Sequence, residues 1–102
     1  SFICIYRYYK TEDAGLRLKK IETQKIEAIA DLFYQNQLEE GIGQLPQLIQ
    51  VLNEILEEKR YTDEQQYFNL LKNIMESIDD KNYIVLADLL VFELMSDTEI
   101  VV

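Results

Sequence analysis

The chain has 102 residues, nearly half of them apolar and 28% charged, with three glycines, one proline and no tryptophan. That length suits one compact domain, and the apolar fraction excludes a disordered chain. The net charge of −9 sets the surface against phosphate backbones and argues against nucleic acid as a partner.

The charge is uneven. Residues 1–35 hold six basic and five acidic side chains, 36–60 hold two and five, and 61–102 hold two and nine. A solvated surface accounts for such an excess, and an acidic face for a basic partner is the functional reading. There is no histidine. This removes the commonest general base, the Ser-His-Asp and Cys-His arrangements and the Glu-x-x-His pairs of di-iron bundles. Cys4 stands alone, so no internal disulfide forms and a cytoplasmic setting is expected. No zinc ligand set, phosphate-binding loop or calcium loop is present, and no cofactor or metal is expected. Neither a signal peptide nor a membrane span is evident, so no membrane partner is expected. The chain begins at Ser1 without methionine, and the expectation is a domain cut from a longer protein.

In chain order, residues 1–21 read as an N-terminal extension. Phe2-Ile3-Cys4-Ile5-Tyr6-Arg7-Tyr8-Tyr9-Lys10 is β-branched and aromatic, Thr11 to Gly15 is a turn, and Leu16 to Ile21 begins with apolar-polar alternation. A β-hairpin over about 2–21 is expected; the end of a helix over Tyr6 to Lys10 is the alternative. Stacking of Tyr6, Tyr8 and Tyr9 on single-stranded nucleic acid is set aside on charge.

Residues 22–102 read as a helical domain. Ile26, Ile29, Ala30 and Phe33 give one face of a helix over about 22–35. Leu38, Ile42, Leu45, Ile49, Leu52 and Leu56 follow a 4-3-4-3-4 spacing, the seam of a second helix over about 37–59. Gly41, Gly43 and Pro46 make a kink or a later start the rival reading. Thr62 and Gln65 stand at capping-box spacing before a third helix, about 63–78, with Phe68, Leu71, Ile74, Met75 and Ile78 as its buried face. Asp79-Asp80 is read as an acidic helix N-terminus. A fourth helix follows, about 81–96. Short connections between such helices predict an all-α, antiparallel four-helix bundle.

Asp88 interrupts the most apolar stretch of that fourth helix, Val85 to Met95. Neither Ile84 nor Phe92, one turn away, can pair with it. A buried carboxylate needs a donor from another helix, and a tyrosine hydroxyl, Lys25 or Lys72 are the candidates. The alternatives are a rim position in a partner-binding groove and plain exposure. Asp88, Glu93, Tyr83 and Phe92 are therefore the candidate partner-binding or buried polar residues. A short echo, Ile29-Ala30-Asp31-Leu32-Phe33 against Leu86-Ala87-Asp88-Leu89-Leu90, is most simply a coincidence of helical composition, with two related helical hairpins as the alternative.

Asp80 to Leu94 resembles a segment of small, largely uncharacterised helical proteins of Gram-positive bacteria. In those a Lys-Asp-Tyr start leads through Leu-Ala-Asp-(Ile/Leu)-Leu to Tyr-Glu-Leu. Asn82 and Phe92 depart from that pattern, and no proline follows Leu94. Gln37-Leu38-Glu39-Glu40-Gly41 resembles a second, weaker pattern. In style the domain is similar to flagellar export chaperones, which hold a partner's amphipathic helices on apolar grooves. The expected function is a non-catalytic interaction module that binds a partner helix, or associates with itself as a homodimer. A sensor or carrier with Asp88 in a pocket for a cationic ligand is the alternative, and a weak carboxylate-based hydrolase comes third.

Overall fold

A computed structural model describes residues 15–95 and the backbone of residues 99–101. The chain is predominantly helical. Strand β1 (Arg17–Lys19) leads without a break into α1 (Lys20–Tyr34). Then come α2 (Leu38–Gly43), α3 (Leu45–Glu57), α4 (Glu64–Asp79) and α5 (Tyr83–Asp88). The wider π-helical turn Leu89–Leu94 continues α5, and β2 (Glu99–Val101) follows.

The first strand of the expected hairpin lies outside the described residues. The hairpin itself is not shown; a short strand stands at Arg17–Lys19, ended by Lys20 and Ile21, which are already helical. β1 pairs in parallel with β2, Leu18 opposite Ile100. The expected helices over 22–35, 63–78 and 81–96 are present with shifted ends. The one over 37–59 is two helices, α2 and α3. Pro46 has no N–H to give the Ile42 carbonyl, so the ladder breaks before it, and proline is tolerated where it stands, in the first turn of α3. The N-cap of α4 is Asp63, one residue later than expected, whose Oδ1 accepts from Gln66 N–H at 3.1 Å. Asp79 closes α4 and Asp80 caps its C-terminus, which corrects the reading of this pair as a helix start.

The core gathers around α1, which presents Ile26, Ile29, Ala30 and Phe33, and makes its most extensive contact with α5. Both alanines of the short echo, Ala30 and Ala87, are fully buried on these two helices, as small residues at a close helix crossing should be. Leu86, Leu90 and Leu94 recur every four residues and are all fully buried. An α-helix would carry such a row around its circumference. The wider turn, with Met95 N–H bonded to Leu90 O at 3.1 Å, keeps it facing inward.

A buried ion pair ties the start of the fold to its middle. The Arg60 guanidinium donates to both carboxylate oxygens of Glu22, at 2.7 and 2.8 Å, and to Arg17 O at 2.9 Å. Glu58 lies 2.7 Å from Arg60 Nε, off the N–H axis. Glu22 also accepts from Lys19 N–H at 2.8 Å and so caps α1. Burial alone would raise the Glu22 pKa. The hydrogen bonds from Arg60 and Lys19, with their charges, outweigh that and hold it below the ordinary 4.5.

Candidate functional site

The question of Asp88 is answered by α1. Asp88 is half-buried at the end of α5, and its Oδ1 accepts from the Tyr34 hydroxyl at 2.5 Å. A tyrosine of another helix is thus the donor. Burial pushes the Tyr34 pKa up, and the bond to Asp88 and its charge push it further, so the hydroxyl remains a donor in alkaline solution.

The other three candidates do not gather around Asp88 in an open site. Tyr83 is half-buried and stacks on Phe33, ring centroids 5.0 Å apart and planes 6° from parallel. Phe92 and Glu93 are half-buried in the π-helical turn. Tyr83 joins α5 to α1 and the core.

An open apolar surface lies between α3 and α4, while Ile84 and Val85 are exposed on α5. The 4-3-4-3-4 row was expected to be a buried seam, and the structure rotates it. α3 turns Leu45, Leu48, Val51, Leu52 and Ile55 inward and leaves Ile49 44% exposed. α4 turns Tyr67, Leu70, Ile74 and Ser77 inward and leaves Phe68 41% and Met75 44% exposed. Each helix therefore carries two apolar faces, one used by the core and one left to solvent. Apolar residues at seven positions of the thirteen in α3 are more than one inward face can use.

Ile49, Leu52, Leu56, Leu71 and Met75 line the resulting groove of about 160 Å³, with Asn53 the one polar residue of its lining. The groove exists because α3 packs mainly on α1 while α4 packs on α5 and the π-helical turn, so α3 and α4 touch each other less. One firm tie crosses its floor. The Tyr67 hydroxyl donates to Leu52 O at 2.7 Å, fully buried. Tyr61, in the α3–α4 connection, stacks on Tyr67 with ring centroids 5.2 Å apart.

Two further clefts are more polar. One, of about 240 Å³ between α4 and α5, is lined by Asn73, Glu76, Ser77 and Asp80 among others. The other, of about 320 Å³, lies between α1 and α3 and includes Lys25, Gln44 and Gln47. Neither is lined by Asp88 or by a tyrosine. Among the described residues no group of three or more cysteine, aspartate or glutamate side chains is placed to hold a metal ion. None of the described helices is long and apolar enough to cross a membrane. No family model, curated protein or solved structure matches the chain.

Proposed function

We propose that this domain is a non-catalytic protein-interaction module whose working surface is the α3–α4 groove. The observation that carries the proposal is the second apolar face on each of these helices. Ile49 and Met75 are large side chains about two-fifths exposed, on neighbouring helices, around a groove with an uncharged lining, and Phe68 is exposed to the same degree on the helix of Met75. A side chain this apolar contributes most when covered, and contiguous apolar surface of this kind marks a place where another polypeptide docks. An amphipathic helix laid into a groove is the recognition mode that fits two parallel rows of aliphatic residues.

In this reading α1, the α2–α3 pair, α4 and α5 with its π-helical extension act as an antiparallel four-helix unit in a bacterial cytoplasm. The resemblance of residues 80–94 to small helical proteins of Gram-positive bacteria, and the likeness in style to flagellar export chaperones, support a chaperone-like holding role. Asp88 then serves the fold through Tyr34 rather than the partner.

The test is affinity capture of the full chain from its own cells, read by mass spectrometry. Wild type is run beside Ile49→Gln/Met75→Gln and beside Asp88→Ala, after each variant is shown to be folded. A partner retained by wild type and by Asp88→Ala, and lost by the groove variant, is expected. An identical partner list from all three removes the groove from the account. Recovery of the chain alone points to self-assembly and overturns the chaperone reading.

A further inference from the structure

We infer that the occupant of the α3–α4 groove is a basic amphipathic helix of another polypeptide. The inference rests on the interaction reading above and adds the chemistry of the partner.

The spacing speaks for a helix. Ile49 and Leu56 on α3 are seven residues apart, and so are Phe68 and Met75 on α4. Rows with that period stay on one side of a helix over successive turns and offer holes to a third helix lying along them. Ile49, Leu56 and Met75 line the groove together with Leu52 and Leu71, and Phe68 stands one heptad before Met75 on α4.

The charges speak for a basic one. Glu64 precedes Phe68 by four residues and Asp79 follows Met75 by four. At 100° per residue, Glu64, Phe68, Leu71, Met75 and Asp79 form one row along α4, apolar in the middle with a carboxylate at each end. The two carboxylates lie about 22 Å apart along the helix axis. Glu57 follows Leu56 directly and adds a third carboxylate at the end where α3 and α4 are joined. Lys72 is the cation beside the row, and its ammonium lies 4.0 Å from Glu76, so it is already offset.

Asp79 is also misplaced for the helix that carries it. The C-terminus of a helix repels carboxylates, the last turn of α4 holds no basic residue, and Asp80 follows as its cap. Among the described residues no lysine or arginine pairs with Asp79 or Asp80. A cation supplied by a partner would relieve both. A second copy of this chain would bring the same carboxylates and a net charge of −9 to the groove, and is disfavoured for that reason. The partner segment is therefore a helix of about four turns, apolar at heptad spacing, with lysine or arginine near both ends.

The test uses the full chain and two fluorescent peptides of about 18 residues, long enough to span the row. Both carry the same leucine heptad seam; one has lysine and the other glutamate on its flanks and ends. Binding is read by fluorescence anisotropy at low and high salt. The lysine peptide is expected to bind at least about tenfold more tightly than the glutamate peptide, with the gap shrinking in salt. Ile49→Gln/Met75→Gln is expected to weaken the lysine peptide by about tenfold or more. Glu64→Gln/Asp79→Asn is expected to weaken it several-fold and to narrow the gap between peptides. Equal binding of both peptides, lost in Ile49→Gln/Met75→Gln, overturns the basic partner and leaves the interaction module standing. Binding indifferent to Ile49 and Met75 overturns the groove as the site. Failure of both peptides, with a wild-type dimer in sedimentation that Met75→Gln dissolves, gives the groove to a second copy and overturns this inference.

Discussion

Tyr34 and Asp88, fifty-four positions apart, are joined by a hydroxyl-to-carboxylate hydrogen bond of 2.5 Å that links the end of α1 to the end of α5. Its acceptor is charged and its surroundings are half open to water, so its net contribution is about 1 kcal/mol. Tyr34→Phe is expected to lower the unfolding free energy by that amount in urea titration. Tyr34→Phe/Asp88→Ala should cost less than the sum of the single changes, because each removes the same bond. Strict additivity would mean that the bond carries no stability.

Glu22 and Arg60 form a far more enclosed pair, with side chains 4% and 10% exposed. Glu22→Gln leaves the buried guanidinium with the half-exposed Glu58 as its remaining counter-charge and is expected to cost about 3 kcal/mol. The pH dependence follows from the sign of the shift. The Glu22 pKa is depressed in the folded state, so its contribution is complete above the ordinary 4.5 and is lost as pH falls below that, through the folded value. The difference in stability between wild type and Glu22→Gln should therefore be constant near neutrality and shrink on acidification. A difference that stays constant well below pH 4.5 would refute the assignment.

Gly41 and Gly43 lie in the same short helix and should respond oppositely to alanine. A Cβ on Gly41 would stand 2.5 Å from the ring of Phe33, itself stacked on Tyr83, whereas a Cβ on Gly43 meets nothing within 4 Å. Gly41→Ala is expected to cost about 1–3 kcal/mol through overpacking. Gly43→Ala is expected to be neutral or to stabilise by up to about 1 kcal/mol through helix propensity. Thermal or urea melts of the two variants make the comparison.

The solvent-facing residues of the groove should be separable from the fold. Ile49→Gln and Met75→Gln, each at a position more than two-fifths exposed, are expected to change stability by no more than about 0.5 kcal/mol. A loss of several kcal/mol from either would mean that this face is already covered within the chain.

Much of the fold was legible because its signals are local. Pro46 offered the start of α3 as the rival to one long helix, the polar connections marked the other helix ends approximately, and the isolated Asp88 raised a donor on another helix as one of three readings. Which tyrosine answered it was not legible, since Tyr34 is brought near only by the packing of α1 on α5. The misreading lay in the seam. Ile49, Phe68 and Met75 have the spacing of core residues, and periodicity reports that an apolar face exists without saying what covers it. Two apolar faces on one helix compete for the inside. The face bearing Tyr67, with its bond to Leu52 O, won on α4, although periodicity favoured Phe68. The width of the apolar arc was the available signal that a face would remain outside. The groove was thus present in the sequence as a surplus.

The central claim, that this surplus face receives another polypeptide, is tested most directly by a photo-crosslinking amino acid placed at position 75 in the full chain within its own cells. A second sample carries it at Thr23, on α1 and outside the groove lining. One discrete crosslinked polypeptide from position 75, mapped to a helical segment and absent from position 23, is the predicted result. No product from position 75, or the same products from both positions, would contradict it.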